Sequence, residues 1–498
     1  MKHFRPTLTA LLLAAALHAD VTLPAVLSDH MVVQRNIPVH IWGKAAPGEA
    51  VAVTFRGNTQ STRGDDLGRW TVSLPPGEPG GPFPLSIKAN NTIAFDDILV
   101  GDVWVAGGQS NMEWPLSRND NAQNEISAAN HPTIRRVRLA HKTSDFPLTD
   151  ATLEPWTAIT PQTAGRGSAV AYFFARHLQE RQPGIPVGLI ESNWGGTAVE
   201  PWTSLGALAS DSVLMPVIAN WARNNDNYPT TLARYQQRLA TWTEQNAKAK
   251  AEGRPETPRP APPVAPGGRN TPGVLYNAMI APIVPYPIKG VIWYQGESNA
   301  NPTTGPLYAR AFQTMIRDWR RAWGMGDFPF LFVQLPNFKA NGYWPELREA
   351  QRQALQLPNV GMAIAIDIGD PGNLHPTNKQ DPARRLALVA RAVAYGERIT
   401  YSGPLFRQAS RDGVALRVSF DQTANGLTAK GGPPKGFEIA GADRKYVPAD
   451  AKIDGPTVLV SSASVAEPVY VRYAWADVPD GNLQNSENLP AAPFRSEP

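Results

Sequence analysis

The sequence predicts a three-layer α/β domain, a parallel sheet with helices on both faces, carried between N-terminal and C-terminal β-sandwich-like modules. Three observations predict it. From about residue 98 to 400, five near-continuous apolar runs alternate with helical patterns, and strands apolar on both faces belong to parallel sheets covered by helices. Residues 20 to 97 alternate in period two, the mark of half-buried strands. Beyond about residue 401 helical patterning disappears again.

In chain order, residues 1–19 read as an export signal. Lys2 and Arg5 precede the apolar run Leu8 to Leu17, which is too short to span a bilayer, and cleavage after Ala19 is expected. No later stretch is apolar enough for a membrane helix, so a secreted or periplasmic protein is expected. The module 20–97 is carried by Val51-Ala-Val-Thr-Phe55 and Trp70-Thr-Val-Ser-Leu74, with a turn at Arg63 to Gly68. The central domain, 98–400, takes the strand Ile98 to Ala106, the helix Val170 to Gln182 and the strand Val187 to Ser192.

A helical and Pro-rich insertion, 205–275, follows. Leu232, Tyr235, Leu239 and Trp242 recur at helical spacing and are expected to form one buried face, and Pro255 to Pro272 reads as a loop. The core pattern resumes with the strand Val291 to Tyr294, a helix over Tyr308 to Trp323 and the strand Phe330 to Leu335. It ends with a helix near Glu346 to Leu355 and the strand Val360 to Ile366. The module 401–498 rests on Val414 to Phe420, Thr457 to Ser461 and Val469 to Ala474.

Composition removes several classes of function. The formal charge of +4 falls to about +2 without Lys2 and Arg5, so neither nucleic acid nor an anionic membrane is an expected partner. There is no Cys, which excludes thiol catalysis, disulfides and Cys-ligated zinc. The 14 Trp suit stacking on sugar faces, although core packing accounts for Trp equally well.

Four polar, glycine-rich loops follow core strands: Gly108 to Asn111, Ser192 to Thr197, Gln295 to Asn299, and Asp367 to His375. In a parallel sheet all four emerge on one edge, where such sheets bind ligands. Ser110 stands where a strand gives way to a helix and is the candidate nucleophile. A serine needs a base, and imidazole suits neutral pH. Of the histidines beyond the signal, His30 and His40 fall in the N-terminal module, His177 in a helix, and His131 and His141 beside a loop without an acid pattern. His375 alone follows a core strand. Asp370 and Asp367 compete as the acid that orients it. Asp370 is nearer and is preferred; Asp367 sits at the strand end, and a backbone carbonyl could do the same. The oxyanion donors are the N–H of Ser110, the backbone around Gly195 and Gly196, and the Gln295 amide. Glu297 is expected to accept hydrogen bonds from neighbouring loops.

These loops resemble the sialate O-acetylesterase (SASA) family of SGNH hydrolases. The matching stretches are Gly-Gln-Ser-Asn-Met-Glu-Trp-Pro (108–115), Glu-Ser-Asn-Trp-Gly-Gly-Thr (191–197), Trp-Tyr-Gln-Gly-Glu-Ser-Asn (293–299), His-Pro-Thr-Asn-Lys (375–379), and Trp344 with Arg348-Glu-Ala-Gln351. The resemblance implies the SGNH, flavodoxin-like fold, with Ser110 as nucleophile, His375 as base, and Gly196 and Gln295 as oxyanion donors. It implies that Asn111, Gly195, Glu297 and Arg348 bind or support the substrate, and that no metal or organic cofactor takes part. Many members place Asp three residues before the His, and here that residue is Gly372. The implied reaction is removal of O-acetyl groups from carbohydrates, first from sialic acid, with plant hemicellulose as the alternative. Arg118, Arg166 and Arg348 are candidates to meet a sialic acid carboxylate. More remote are a glycoside hydrolase using Glu191, Glu200 and Glu297, and a non-catalytic sugar-binding protein.

Overall fold

The computed structural model describes residues 20–263, 265–340 and 342–497, so the segment read as an export signal lies outside the described residues. At its centre, seven strands lie side by side in the order Val360–Ala363, Phe330–Val333, Gly290–Tyr294, Thr92–Gly108, Val187–Asn193, His131–Leu139 and Leu153–Ile159. All neighbours are parallel except the last pair. Without the two strands at that edge, chain order across the sheet is 2-1-3-4-5, the flavodoxin-like order. The chain leaves the Thr92–Gly108 strand toward one side of the sheet and later crosses to the other, which opens a crevice at its carboxyl end.

Side-chain alternation along the strands sends large aromatics to both faces. Trp104 meets Phe174 of the helix Ala169–Arg181 edge-on at 5.1 Å. Trp293 points the other way, against Phe312 and Trp319 of the helix Gly305–Trp323, at 6.5 and 5.7 Å between centroids. That helix stops at Gly324, whose φ of 64° suits glycine as a terminator. Trp293→Ala would open a cavity in a fully buried layer and cost roughly 3–5 kcal/mol.

Two further strands, His131–Leu139 and the edge strand Leu153–Ile159, have no counterpart in the sequence reading. The first reads His-Pro-Thr-Ile-Arg-Arg-Val-Arg-Leu, too charged to suggest a buried strand. Its arginines are accommodated because Arg135 pairs with Asp97 at 2.9 Å and Arg136 faces Glu191 at 3.9 Å. The second carries Pro155, which an edge strand tolerates.

The Thr92–Gly108 strand is 17 residues long and serves two layers. Its first half pairs with Gly80–Lys88 of the N-terminal module, its second half with Val187–Asn193 and Gly290–Tyr294. Residues 97 and 98 therefore lie within one strand, and a single hydrophobic core runs from Val21 through the central sheet. The C-terminal module has its own core, between two four-stranded antiparallel sheets.

The insertion is dominated by a 37-residue helix, Met215–Ala251, about 55 Å long at 1.5 Å per residue. Of the four residues expected on a buried face, only Tyr235 is buried; Leu232, Leu239 and Trp242 are half-exposed. The helix packs on the returning Pro-rich segment instead. Trp242 Nε1 donates to Thr257 O at 2.9 Å, and Asn246 exchanges hydrogen bonds with Thr257.

Candidate active site

The central strand ends in Gly107-Gly108. Gly108 has φ of 134°, and a Cβ there would stand 2.2 Å from Tyr294 O, so only glycine permits this turn. Gln109 follows, its N–H donated to Tyr294 O at 3.0 Å and its side-chain oxygen accepting Ser298 N–H at 3.2 Å. Ser110 then opens the short helix Ser110–Glu113. Its Oγ lies 2.8 Å from His375 Nε2, across 265 residues of sequence. Asn373 Oδ1 accepts the His375 backbone N–H at 2.9 Å, and the imidazole stacks on Trp114 at 5.5 Å and 16°. Burial lowers the pKa of His375, and the nearby cations Lys379 and Arg118 lower it further. The ring is thus held neutral, as a base must be.

Neither carboxylate considered as the acid is bonded to this ring. Asp367 gives both oxygens to Arg385, at 2.6 and 2.7 Å. Asp370 accepts Gly372 N–H at 2.8 Å within its own turn, and its carbonyl accepts Asn373 N–H. The Pro371-Gly372 turn folds Asp370 onto its own backbone.

Three further residues stand differently from the expectation. Both N–H groups of Gln295 are committed, to Thr197 O at 3.2 Å and Asn299 Oδ1 at 2.8 Å. The amide is fully buried and braces two loops rather than facing an oxyanion. Gly195 donates its N–H to Glu113 Oε2 at 2.6 Å. Its role is contact, since a Cβ there would come within 3.3 Å of Ser110 Cβ. Arg348 is fully buried and cannot meet a substrate carboxylate. It donates to the carbonyls of Leu335, Pro336, Ala476 and Asp477, tying the C-terminal module to the core, and burial pulls its pKa down to about 9.

Gly196 remains exposed at the mouth, with φ of 72°. Asn111 is buried and donates to Glu297 Oε1 at 2.5 Å and Leu374 O at 3.1 Å, so Glu297 does accept from a neighbouring loop. Arg166 is exposed. Glu191 and Glu200 are buried, bonded to Ser168 N–H and to Asn299. Among the described residues no cluster of three His, Asp or Glu is placed to hold a metal ion.

Sequence reasoning missed Glu113, His141 and Lys379. Glu113 accepts from Gly195, Arg138 and His141, the last two at 3.2 Å, and His141 stacks on Trp194 at 4.4 Å. The available signal was spacing, because Glu113 sits one helical turn after Ser110. Lys379 is 1% exposed and donates to Asn111 Oδ1 at 2.5 Å and Pro376 O at 2.6 Å. Its signal was its place four residues after His375.

A flavodoxin-like sheet with a Ser–His pair in its crevice defines a carboxylic-ester hydrolase of the SGNH type, and the comparisons with known proteins agree. The family profile described as carbohydrate esterase, sialic acid-specific acetylesterase, matches residues 100–249 and 264–389, and the chain belongs to this SASA family. Mouse sialate O-acetylesterase is 33% identical, covering 94% of this chain and 93% of that protein. The human protein of that name is 31% identical, covering 94% and 91%. The solved structure of a carbohydrate acetylesterase from Xanthomonas citri is 40% identical, with a TM-score of 0.81 over 96% of this chain and 100% of that one.

Proposed function

We propose that the chain is an exported serine esterase that removes O-acetyl groups from carbohydrates, with acetylated sialic acid as its first substrate class. The observation that carries the chemistry is the 2.8 Å contact between Ser110 Oγ and His375 Nε2. His375 takes the hydroxyl proton as Ser110 attacks the acetyl carbonyl. The tetrahedral oxyanion is met by the backbone N–H of Ser110, which as the first helical residue has no acceptor within its helix, and by that of Gly196. His375 returns the proton to the departing sugar oxygen, leaving an acetyl-enzyme. Water, deprotonated by His375, then releases acetate. With no carboxylate bonded to the ring among the described residues, the imidazolium is formed at a stacked Trp114 and beside two cations. This arrangement favours quick return of the proton.

Two guanidinium groups support an acidic sugar. Arg118 lies 4.1 Å over the Trp114 ring, which stacks on His375. Arg269 lies against Gly196, where even a methyl group would come within 3.1 Å of its Nη2. Both are exposed, and neither forms an ion pair among the described residues. A carboxylate near the scissile ester would find a cation on the His375 side and another on the Gly196 side.

A second reading, a neutral hemicellulose chain, is favoured by a cavity of about 610 Å³ beyond that lip. It runs from Ala198 and Ser298 to the long helix and is lined by Trp221, Tyr228 and several asparagines, a surface suited to sugar faces and hydroxyls. Acetate release measured side by side from acetylated sialic acid and acetylated xyloglucan separates the two. No release from either, with p-nitrophenyl acetate also untouched, would refute the esterase reading.

A further inference from the structure

With no carboxylate bonded to the His375 ring among the described residues, something else must fix the imidazole, and the structure offers a buried cluster directly behind it. Lys379 Nζ donates to Pro376 O at 2.6 Å and to Asn111 Oδ1 at 2.5 Å. The Asn111 amide donates to Leu374 O at 3.1 Å and to Glu297 Oε1 at 2.5 Å. The two carbonyls on either side of His375 are therefore gripped by one cluster, and its hub, Asn111, is the residue after Ser110. Asn111 is fully buried, Lys379 is 1% exposed, and Glu297 Oε2 is buried with no hydrogen-bond partner among the described residues. Burial pushes the Glu297 carboxyl pKa up, while the Asn111 amide and, more weakly, the Lys379 ammonium across it pull it back toward the carboxylate.

We propose that Lys379, Asn111 and Glu297 form the positioning unit for the base, clamping residues 374 to 376 against the Ser110 helix in place of a triad acid. The inference rests on the Ser110–His375 reading above. None of the three touches the reacting atoms; they act through His375.

The unit also carries a charge that His375 senses. Lys379 faces Glu297 and Asp120, and the rings of Trp114 and Tyr294 at 5.4 and 5.8 Å. His375 faces Lys379, Arg118 and the Ser110 hydroxyl. Burial pulls Lys379 down to about 7, against the upward pull of Glu297 and Asp120. Below that pH it is a cation that keeps the imidazole unprotonated, so removing it moves the acid limb of the rate profile to higher pH. A purely structural lysine would not move that limb once the fold is intact.

The test uses the full chain with Lys379→Met, Asn111→Ala, the double variant and Ser110→Ala, assayed on p-nitrophenyl acetate from pH 4.5 to 9, with thermal unfolding as the check on folding. Each single clamp variant is expected to lose about 100-fold in kcat, the cost of misplacing a catalytic group by about 1 Å, with KM within about twofold. The double variant should lose little more than the worse single one, because both cut the same connection. The acid limb should rise in Lys379→Met and stay in place in Asn111→Ala. A folded Lys379→Met with wild-type kcat and an unmoved limb overturns the proposal. If that variant does not fold, wild-type kcat in Asn111→Ala overturns it instead. Ser110→Ala at wild-type activity would sink the underlying reading, whereas an inactive Ser110→Ala beside unaffected clamp variants would sink only this one.

Discussion

Replacing Asp370 by Asn tests whether this site works without an acid on its histidine. In a serine triad, the same change at the orienting carboxylate lowers kcat by about 10⁴, or ~5.4 kcal/mol at 1.36 kcal/mol per decade. Here Asp370 uses Oδ1 to accept Gly372 N–H at 2.8 Å, and no bond runs from it to His375. Asparagine keeps that oxygen, so only the difference between a charged and a neutral acceptor is lost. Such a bond contributes about 1 kcal/mol net, and if the whole of it reached the transition state the rate would fall about fivefold. The gap between fivefold and ten-thousandfold is wide enough for a single-concentration assay, but kcat and KM on p-nitrophenyl acetate are the proper measurement. A loss of a thousandfold or more in a folded Asp370→Asn enzyme would show that Asp370 swings onto Nδ1 during turnover and that the dyad account is wrong.

Ser110→Ala should fold normally and lose at least about a thousandfold in kcat, by analogy with triad deletions, checked by acetate release and circular dichroism. Because burial and the cations Lys379 and Arg118 lower the His375 pKa, activity should persist below the ordinary imidazole value of about 6.5 and fail as pH drops through the lowered one; Arg118→Ala should move that limit upward in a pH–rate profile. Arg118→Ala with Arg269→Ala should depress kcat/KM for acetylated sialic acid by about 10-fold or more, the scale of one charged hydrogen bond, while acetylated xyloglucan changes little; equal losses on both would remove the acidic-sugar argument. Trp221→Ala should raise KM for an acetylated oligosaccharide severalfold and leave p-nitrophenyl acetate unaffected, as expected of a stacking residue remote from the ester.

The five contiguous parallel strands from Val187–Asn193 to Val360–Ala363 were legible because each is a near-continuous apolar run, such as Val291-Ile-Trp-Tyr294, which fits a sheet covered on both faces. The strand His131–Leu139 was not, because its burial depends on distant partners, Asp97 and Glu191, that no local pattern reveals. The same division holds at the site. Ser110 and His375 could be picked out by residue type and by their place after core strands. The direction of an amide could not. Gln295 and Arg348 carry suitable donors, yet folding turns both inward onto backbone carbonyls and neighbouring amides. The buried face expected for Leu232 to Trp242 failed for a related reason: helical periodicity says that a stripe will be covered, not that a Pro-rich strap rather than the core will cover it.

The strand Thr92–Gly108 joins its two sheets without a hinge. A chain begun at residue 98 would keep the ester-cleaving loops but lose the length of strand that pairs with Gly80–Lys88. The N-terminal module is thus no detachable cassette: it grips the far end of the lever whose near end presents Ser110. Ile93 and Phe95 lie on the part of this strand that pairs with Gly80–Lys88, and Ser110 opens the helix just beyond its other end.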